Sequence, residues 1–302
     1  PAVAACLVKM GKKAIRYAVV DAFTAEQFKG NPAAVCLLEE EGAAADEQWM
    51  QSVAAEFNLS DTAFLVRDSS RPDGAAPRFH LRWFTPVTEV DLCGHATLAS
   101  AHFLFTNLLA EHGMVEFMTR SGILTAKKVT TTAEGEQGKL FIELDFPMDS
   151  FVGCSTADDM PLIPKTLNGA SVISVHKTTA VGDLIVELSS EKEVFDTVPS
   201  MDEIKNLDSR GLIVTGPAPA GSGYDFFTRF FCPKFGIDED PVTGSIHCVL
   251  APYWGRKLGK QKLASYQASP RGGILYLELD DANGRVKIKG EAYTVMDGTL
   301  LA

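Results

Sequence analysis

The strongest constraint on the fold of this chain is an internal echo. Displaced by 147 residues (231 − 84 = 147), Phe84-Thr85-Pro86 falls on Phe231-Cys232-Pro233, and Cys93 falls on Asp240. Around each copy the chain repeats one order: an alternating aromatic strand, a Pro-containing turn, and an acidic loop (Glu89 and Asp91; Asp238 and Glu239). A turn of small residues and a buried apolar helix follow. The first small-residue turn reads Asp91-Leu92-Cys93-Gly94-His95-Ala96-Thr97 and the second Asp240-Pro241-Val242-Thr243-Gly244-Ser245. Two unrelated βα units sharing turn chemistry would also match over so few residues, and both explanations stand at this level. With 302 residues, about two domains are expected, and a half repeated and diverged would supply them. The halves are expected at 1–128, joined by about 288–302, and at 129–287.

Hydrophobic periodicity gives many short strands and few helices. Ile15–Val20, Thr62–Val66, Arg78–Phe84, Val115–Met118, Leu124–Val129, Leu140–Phe146, Ser171–Val175, Asp183–Leu188 and Leu212–Thr215 read as strands. Trp49, Met50, Val53, Ala54 and Phe57 recur three and four apart, an amphipathic helix with Asp46 near its amino end. Thr97–Leu109 is long and apolar enough for a buried helix. Asn31 before Pro32 reads as a helix amino-terminal cap with proline in the first turn, in preference to a substrate contact. Thr130–Gly138 and Thr215–Gly223 read as surface loops. The class is α+β. A doubly wound nucleotide fold would need GxGxxG opening a helix, and that motif is absent from the sequence.

The formal charge of −11 argues against a nucleic-acid binder. Six cysteines without CxxC pairing or metal-finger spacing indicate neither a disulfide framework nor a zinc site. Apolar runs stop well short of the roughly 20 residues of a membrane span. Ala2–Val8 is too short for a signal peptide and lacks a basic region before it, Met10 reads as a natural start, and Gly11 lacks the Ser or Thr of a myristoylation signal. A cytoplasmic location is the default expectation.

If the halves pack about a pseudo-twofold axis, the turns before the two buried helices face each other, and their backbone N–H groups converge on one anionic group. Cys93 or His95 on one side and Asp240 on the other would then flank a substrate carbon, a layout suited to removing a proton at one position and returning it at another. Plainer readings accompany these residues. Asp61 after Ser60 fits a turn or cap carboxylate, and Cys93 fits a small buried hydrophobe. Arg229 is either a solvated strand residue or a cation for substrate or interface. His80 is expected to be exposed, and His102, His112, His176 and His247 carry no assigned chemistry.

Several strings together resemble one family: Asp21-Ala22-Phe23-Thr24 with Gly30-Asn31-Pro32-Ala33-Ala34-Val35, Asn58-Leu59-Ser60-Asp61-Thr62-Ala63-Phe64, Phe84-Thr85-Pro86, Asp91 through Thr97, and Gly236-Ile237-Asp238-Glu239-Asp240 through Ser245. In order and spacing they resemble the phenazine biosynthesis protein F-like family, within the diaminopimelate epimerase and proline racemase fold group. The resemblance implies two similar domains, each a curved barrel-like sheet around a central helix, an active site between them, and commonly a homodimer. It also implies a cofactor-free isomerase acting by acid–base catalysis on a small carboxylate.

Residue by residue, the resemblance makes position 61 the general acid/base, usually Glu and here Asp61. Aspartate is one methylene shorter, and an error of that size in positioning can be costly. His95 is implied to contact substrate and relay or hold a proton, and Asp240 to hold an amino or hydroxyl group. Ser245, with Gly94, Thr243 and Gly244, is implied to bind the carboxylate. Cys93 stands where the racemases of the wider group carry a thiol base, while Asp240 stands where they carry the second thiol, which disfavours a paired-thiolate racemase and leaves a mixed Cys93/Asp240 pair open. Two functions follow: a proton-transfer isomerase, or a non-catalytic descendant that binds a small molecule or a partner.

Overall fold

A computed structural model describes residues 14–38, 46–72, 74–129, 139–154 and 163–301. The expectations for Ala2–Val8, Met10, Gly11 and the Thr130–Gly138 loop lie outside these residues. The chain divides into two compact units, one of Pro1–Phe28, Pro32–Leu144 and Glu291–Ala302, the other of Lys29–Asn31 and Asp145–Gly290.

In the first unit β1 (Ala14–Ala22) pairs antiparallel with the C-terminal strand Ala292–Leu301, with a register shift between Val19 and Val20. β2 (Asn31–Leu38) leads to helix α1 (Glu47–Phe57), which returns the chain as β3 (Asp61–Arg67), parallel to β2. The helix forms where its periodicity places it: Asp46 caps the amino end by accepting from the Trp49 amide at 2.9 Å, and Asn58 ends it in the left-handed region. Its Met50, Val53 and Ala54 are buried with Cys36, Leu38, Phe64 and Phe84. β4 (Arg78–Phe84) is antiparallel to β3, short β5 (Glu89–Val90) folds back on β4, and α2 (Gly94–Asn107) follows. The chain then re-enters as β6 (Met114–Thr119), parallel to β4, and continues antiparallel through β7 (Gly122–Val129) into β8 (Phe141–Pro147). That β7–β8 pairing is what carries the first unit to Leu144.

Helix α2 begins at Gly94, three residues before the start its apolar run suggested, and Gly94 through Phe105 are all buried. A helix apolar on every side is the expected occupant of an interior. It packs against β1, β3, β7 and the C-terminal strand. Its buried hydroxyls are satisfied locally, Thr97 Oγ1 donating to the Cys93 carbonyl and Ser100 Oγ to that of Ala96.

The second unit contains β9 (Phe151–Gly153), α3 (Pro164–Leu167), β10 (Val172–Thr178), β11 (Leu184–Leu188), α4 (Glu191–Asp196), α5 (Met201–Lys205) and β12 (Leu212–Pro217). β13 (Phe226–Cys232), β14 (Ile237–Asp240), α6 (His247–Leu258), β15 (Lys262–Gln267), β16 (Gly273–Asp280) and β17 (Arg285–Gly290) complete it. Its connectivity repeats that of the first unit. β11 and β12 are parallel like β2 and β3, β13 is antiparallel to β12, short β14 folds back on β13, and α6 leads to β15, parallel to β13. β16 then pairs antiparallel with β15 as β7 does with β6. The sequence echo therefore marks a repeated strand–turn–helix–strand crossover rather than shared turn chemistry alone. Helix α6 buries His247 through Gly255 and packs against β15, β16 and β17. Trp254 stacks on Phe226 at 5.5 Å and donates its indole N–H to Thr215 Oγ1.

Three readings are corrected. Asn31 does not cap a helix; it opens β2 and is fully buried. The residues after it, Ala33–Leu38, pair with β3 as a strand, so there are no helix amides for Asn31 to cap, and Gly30 absorbs the turn at φ +64°. Arg229 is neither solvated nor open to a ligand: at 7 % exposure it forms a bidentate pair with Glu239 at 2.7 and 2.9 Å and donates to the Thr197 carbonyl at 2.6 Å. His80 is half-buried rather than exposed.

Candidate active site

In the first unit, α1 ends at the left-handed Asn58, and three residues later Asp61 starts β3 beside Ala33 of β2. Cys93 is extended (φ −140°, ψ 111°) at the mouth of α2, where its carbonyl accepts from the Thr97 amide and hydroxyl. These two anchors bring three side chains together. The Cys93 thiol donates to Asp61 Oδ2 at 3.2 Å and lies 3.4 Å from His95 Nδ1, while His95 Nε2 is 3.7 Å from the same Oδ2. Exposures of 6 % for Asp61, 7 % for Cys93 and 4 % for His95 put the group in a low-dielectric interior. Burial pushes His95 down to about 3, so the imidazole is neutral at pH 7, and the 3.7 Å separation is too long for a hydrogen bond.

The thiol has one proton to donate. While it points at Asp61, His95 can approach sulfur only as an Nδ1–H donor; transferred toward Nδ1, it requires the opposite tautomer. Position of one proton and tautomer of one ring are therefore coupled, the property a short proton relay needs.

In the second unit Asp240 ends β14, paired with Phe230 of β13. Its Oδ1 accepts from Asn31 Nδ2 at 2.7 Å, and its Oδ2 accepts from the Thr243 hydroxyl. Asn31 Nδ2 also donates to the Val242 carbonyl at 2.8 Å. Gln267, at the end of β15, fixes the direction of this chain. Its Oε1 accepts from the Thr243 amide at 2.7 Å, which turns its amide nitrogen toward the Asp240 carbonyl at 2.8 Å and Thr243 Oγ1 at 3.1 Å. Thr243 Oγ1 thus receives a hydrogen from Gln267 and directs its own at Asp240. Burial nevertheless dominates these two donors and raises Asp240 to about 6.

Gly94 is buried at the first position of α2. Gly244 is buried and Ser245 half-buried in a separate turn before α6, with the Gly244 carbonyl accepting from the His247 amide and that of Ser245 from the Cys248 amide. His247 has a structural environment: Nδ1 meets the Thr243 carbonyl at 2.7 Å, Nε2 meets Ser265 Oγ at 3.0 Å, and burial lowers it to about 4.

Asp61, Cys93 and His95 are thus gathered in one unit, and Asp240 and Thr243 in the other. Asn31 and Gln267 were missed in the sequence. Asn31 stands in the Gly-Asn-Pro string, but nothing in that string marks Asp240 as its partner, and Gln267 lies outside every motif. Among the described residues no helix is long and apolar enough to cross a membrane.

Residues 20–298 match the model of the family described as phenazine biosynthesis-like protein. An uncharacterized isomerase from Halalkalibacterium halodurans is 43 % identical over 284 residues, covering 94 % of this chain and 97 % of that protein. The crystal structure of a phenazine biosynthesis PhzC/PhzF protein from Clostridium difficile is 39 % identical with a TM-score of 0.78, covering 95 % of this chain and 99 % of that one. A hydroxyproline epimerase from Agrobacterium vitis, at 11 % identity and a TM-score of 0.56 over 96 % of this chain and 92 % of that one, shares the fold. The fold is thus α+β of the epimerase type, and the chain belongs to the phenazine biosynthesis-like protein family.

Proposed function

We propose that the protein is an isomerase that moves a proton between two positions of a small amino or hydroxy carboxylate, using its own side chains as acid and base. The observation that carries this reading is the buried Asp61, in contact with a thiol proton and beside a neutral imidazole. Ionised Asp61 removes a proton from the substrate carbon, and the thiol of Cys93 and the ring of His95 offer that proton a short exchange path. Backbone N–H groups at Gly94, with Gly244 and Ser245 at the second turn, bind the substrate carboxylate and the charge that develops on it, whereas Thr243 spends its amide on Gln267 and its hydroxyl on Asp240. Asp240, raised to about 6, holds an amino or hydroxyl group and is available in both protonation states near neutrality. The isomerase name of the Halalkalibacterium halodurans relative and the epimerase that shares the fold support this class of reaction.

The class is tested in heavy water: a substrate incorporates solvent deuterium at carbon, and Asp61→Asn slows this by about 10²–10⁴-fold. Undiminished exchange in Asp61→Asn removes Asp61 from the role of base.

A small-molecule or partner-binding module is the second reading, favoured by aspartate where the family usually has glutamate. Asp61→Glu separates the two. A gain of exchange indicates a retuned enzyme, whereas no exchange with either residue across a broad panel of carboxylates indicates the module. A homodimer and a cytoplasmic location belong to the first reading; a monomer mass by light scattering would remove the dimer.

A further inference from the structure

Asp61, Cys93 and His95 combine three different ligating groups in a space the size of a metal coordination sphere. Each offers one ligand atom, and the three lie within 4.8 Å of one another. Taking His95 Nδ1 as its ligand atom, sulfur is 3.4 Å from nitrogen and 3.2 Å from Asp61 Oδ2. A tetrahedral zinc ion with ordinary bond lengths separates sulfur from nitrogen or oxygen by about 3.5 Å, so both edges need adjustments of only a few tenths of an ångström. The donors sit on the start of a strand and the first turn of a buried helix, elements that hold side chains more tightly than loops do.

Charge makes the same selection. A thiolate and a carboxylate together in this interior would be an uncompensated dianion. A divalent cation makes the set neutral. Thiolate, imidazole and carboxylate form a borderline-soft donor set that suits zinc and disfavours magnesium or calcium. Three protein ligands leave a fourth position open.

We propose that this triad is a binding site for a thiophilic divalent cation, zinc foremost, and that zinc there switches off proton transfer. Zinc bonds to Cys93 Sγ, His95 Nδ1 and Asp61 Oδ2; the thiol proton leaves to solvent, the imidazole lends a lone pair, and no electron changes hands. Binding stands on the geometry alone, whereas its inhibitory consequence rests on the proposed role of Asp61 as base.

The test is titration of the chelator-treated, full-length protein with cobalt(II) and zinc(II). One equivalent of cobalt is expected to produce a sulfur-to-cobalt charge-transfer band with the visible bands of tetrahedral cobalt, releasing one proton per ion at a pH where the thiol is protonated, and zinc to displace the cobalt and abolish both bands without further proton release. Cys93→Ser removes the charge-transfer band, Asp61→Asn lowers zinc affinity about tenfold or more, and Cys154→Ser changes neither. In the unmodified chain, zinc slows alkylation of Cys93 without slowing that of Cys154, so the outcome does not depend on any variant folding. Absence of the band, its persistence in Cys93→Ser, or unprotected alkylation overturns the site. Deuterium exchange measured with and without chelator keeps the two ideas apart. A cobalt band without any exchange activity sinks the isomerase and leaves the metal site; exchange that zinc does not reduce, with no band, sinks the metal site and leaves the isomerase.

Discussion

Thr243→Val removes one hydroxyl at constant shape and tests how Asp240 is held. In the folded chain burial raises this carboxyl from 3.8 to about 6, and two donors, Asn31 Nδ2 and Thr243 Oγ1, limit the rise. A hydrogen bond to a charged group contributes about 1.5–3 kcal/mol, and a shift of one pH unit corresponds to about 1.4 kcal/mol. Losing the Thr243 donor therefore moves the Asp240 midpoint upward by about one to two pH units. Carbon-13 NMR of the aspartate carboxyls reads this directly, with Asp240→Asn assigning the resonance, and needs no substrate.

The stability consequence has a definite sign. The folded state binds this proton more tightly than the unfolded chain does, so the contribution is most favourable below about 3.8 and is lost as pH rises through about 6. Two pH units amount to about 3 kcal/mol at pH 7, and Asp240→Asn should flatten that part of the profile. An Asp240 midpoint near 4, or one that stays put in Thr243→Val, refutes the balance of burial against two aimed donors.

His247 is displaced in the opposite sense. Its folded value of about 4 lies below the ordinary 6.5, so its contribution is full above pH 6.5 and fades as pH falls toward 4, by about 3 kcal/mol in all. Urea unfolding of the wild type and His247→Gln at pH 7 and pH 5 should show a smaller acid loss in the variant; equal losses would contradict this. Gly255→Ala puts a Cβ 2.4 Å from Leu279 Cδ1 and 3.0 Å from the Lys260 carbonyl, and should cost about 1–3 kcal/mol by overpacking, seen as a lower urea midpoint with unchanged slope. Met50→Ala should cost about 2–5 kcal/mol by leaving a cavity between α1 and the sheet, and a cost below 1 kcal/mol would mean that α1 is loosely packed.

What the sequence revealed depended on whether neighbours along the chain or distant partners decide a residue's place. Strand alternation, the Trp49-to-Phe57 spacing and the Asp46 cap are local, and the structure has them within a few residues. The echo was legible because each copy spells out the same crossover in order. Asn31 was misread because Asn-Pro can open a helix or a strand; here Ala33–Leu38 pairs with β3, and the Asn31 side chain finds Asp240, 209 positions away. Arg229 looked available on its strand because nothing local marks Glu239 and the Thr197 carbonyl as its partners. The same limit hid Gln267, whose role comes from the parallel pairing of β13 with β15. The Asp61–Cys93 contact joins two motifs 32 positions apart; each motif is plain in the sequence, while their meeting is set by β3 and α2 packing together.

The central claim is that Asp61 takes a proton from a substrate carbon. Mass-spectrometric deuterium uptake into a panel of amino and hydroxy carboxylates in heavy water, with wild type, Asp61→Asn and Asp61→Glu side by side, tests it most directly. The account predicts uptake at carbon in one member of the panel with the wild type and a loss of at least about 10²-fold in Asp61→Asn. Equal uptake in Asp61→Asn and the wild type would contradict it.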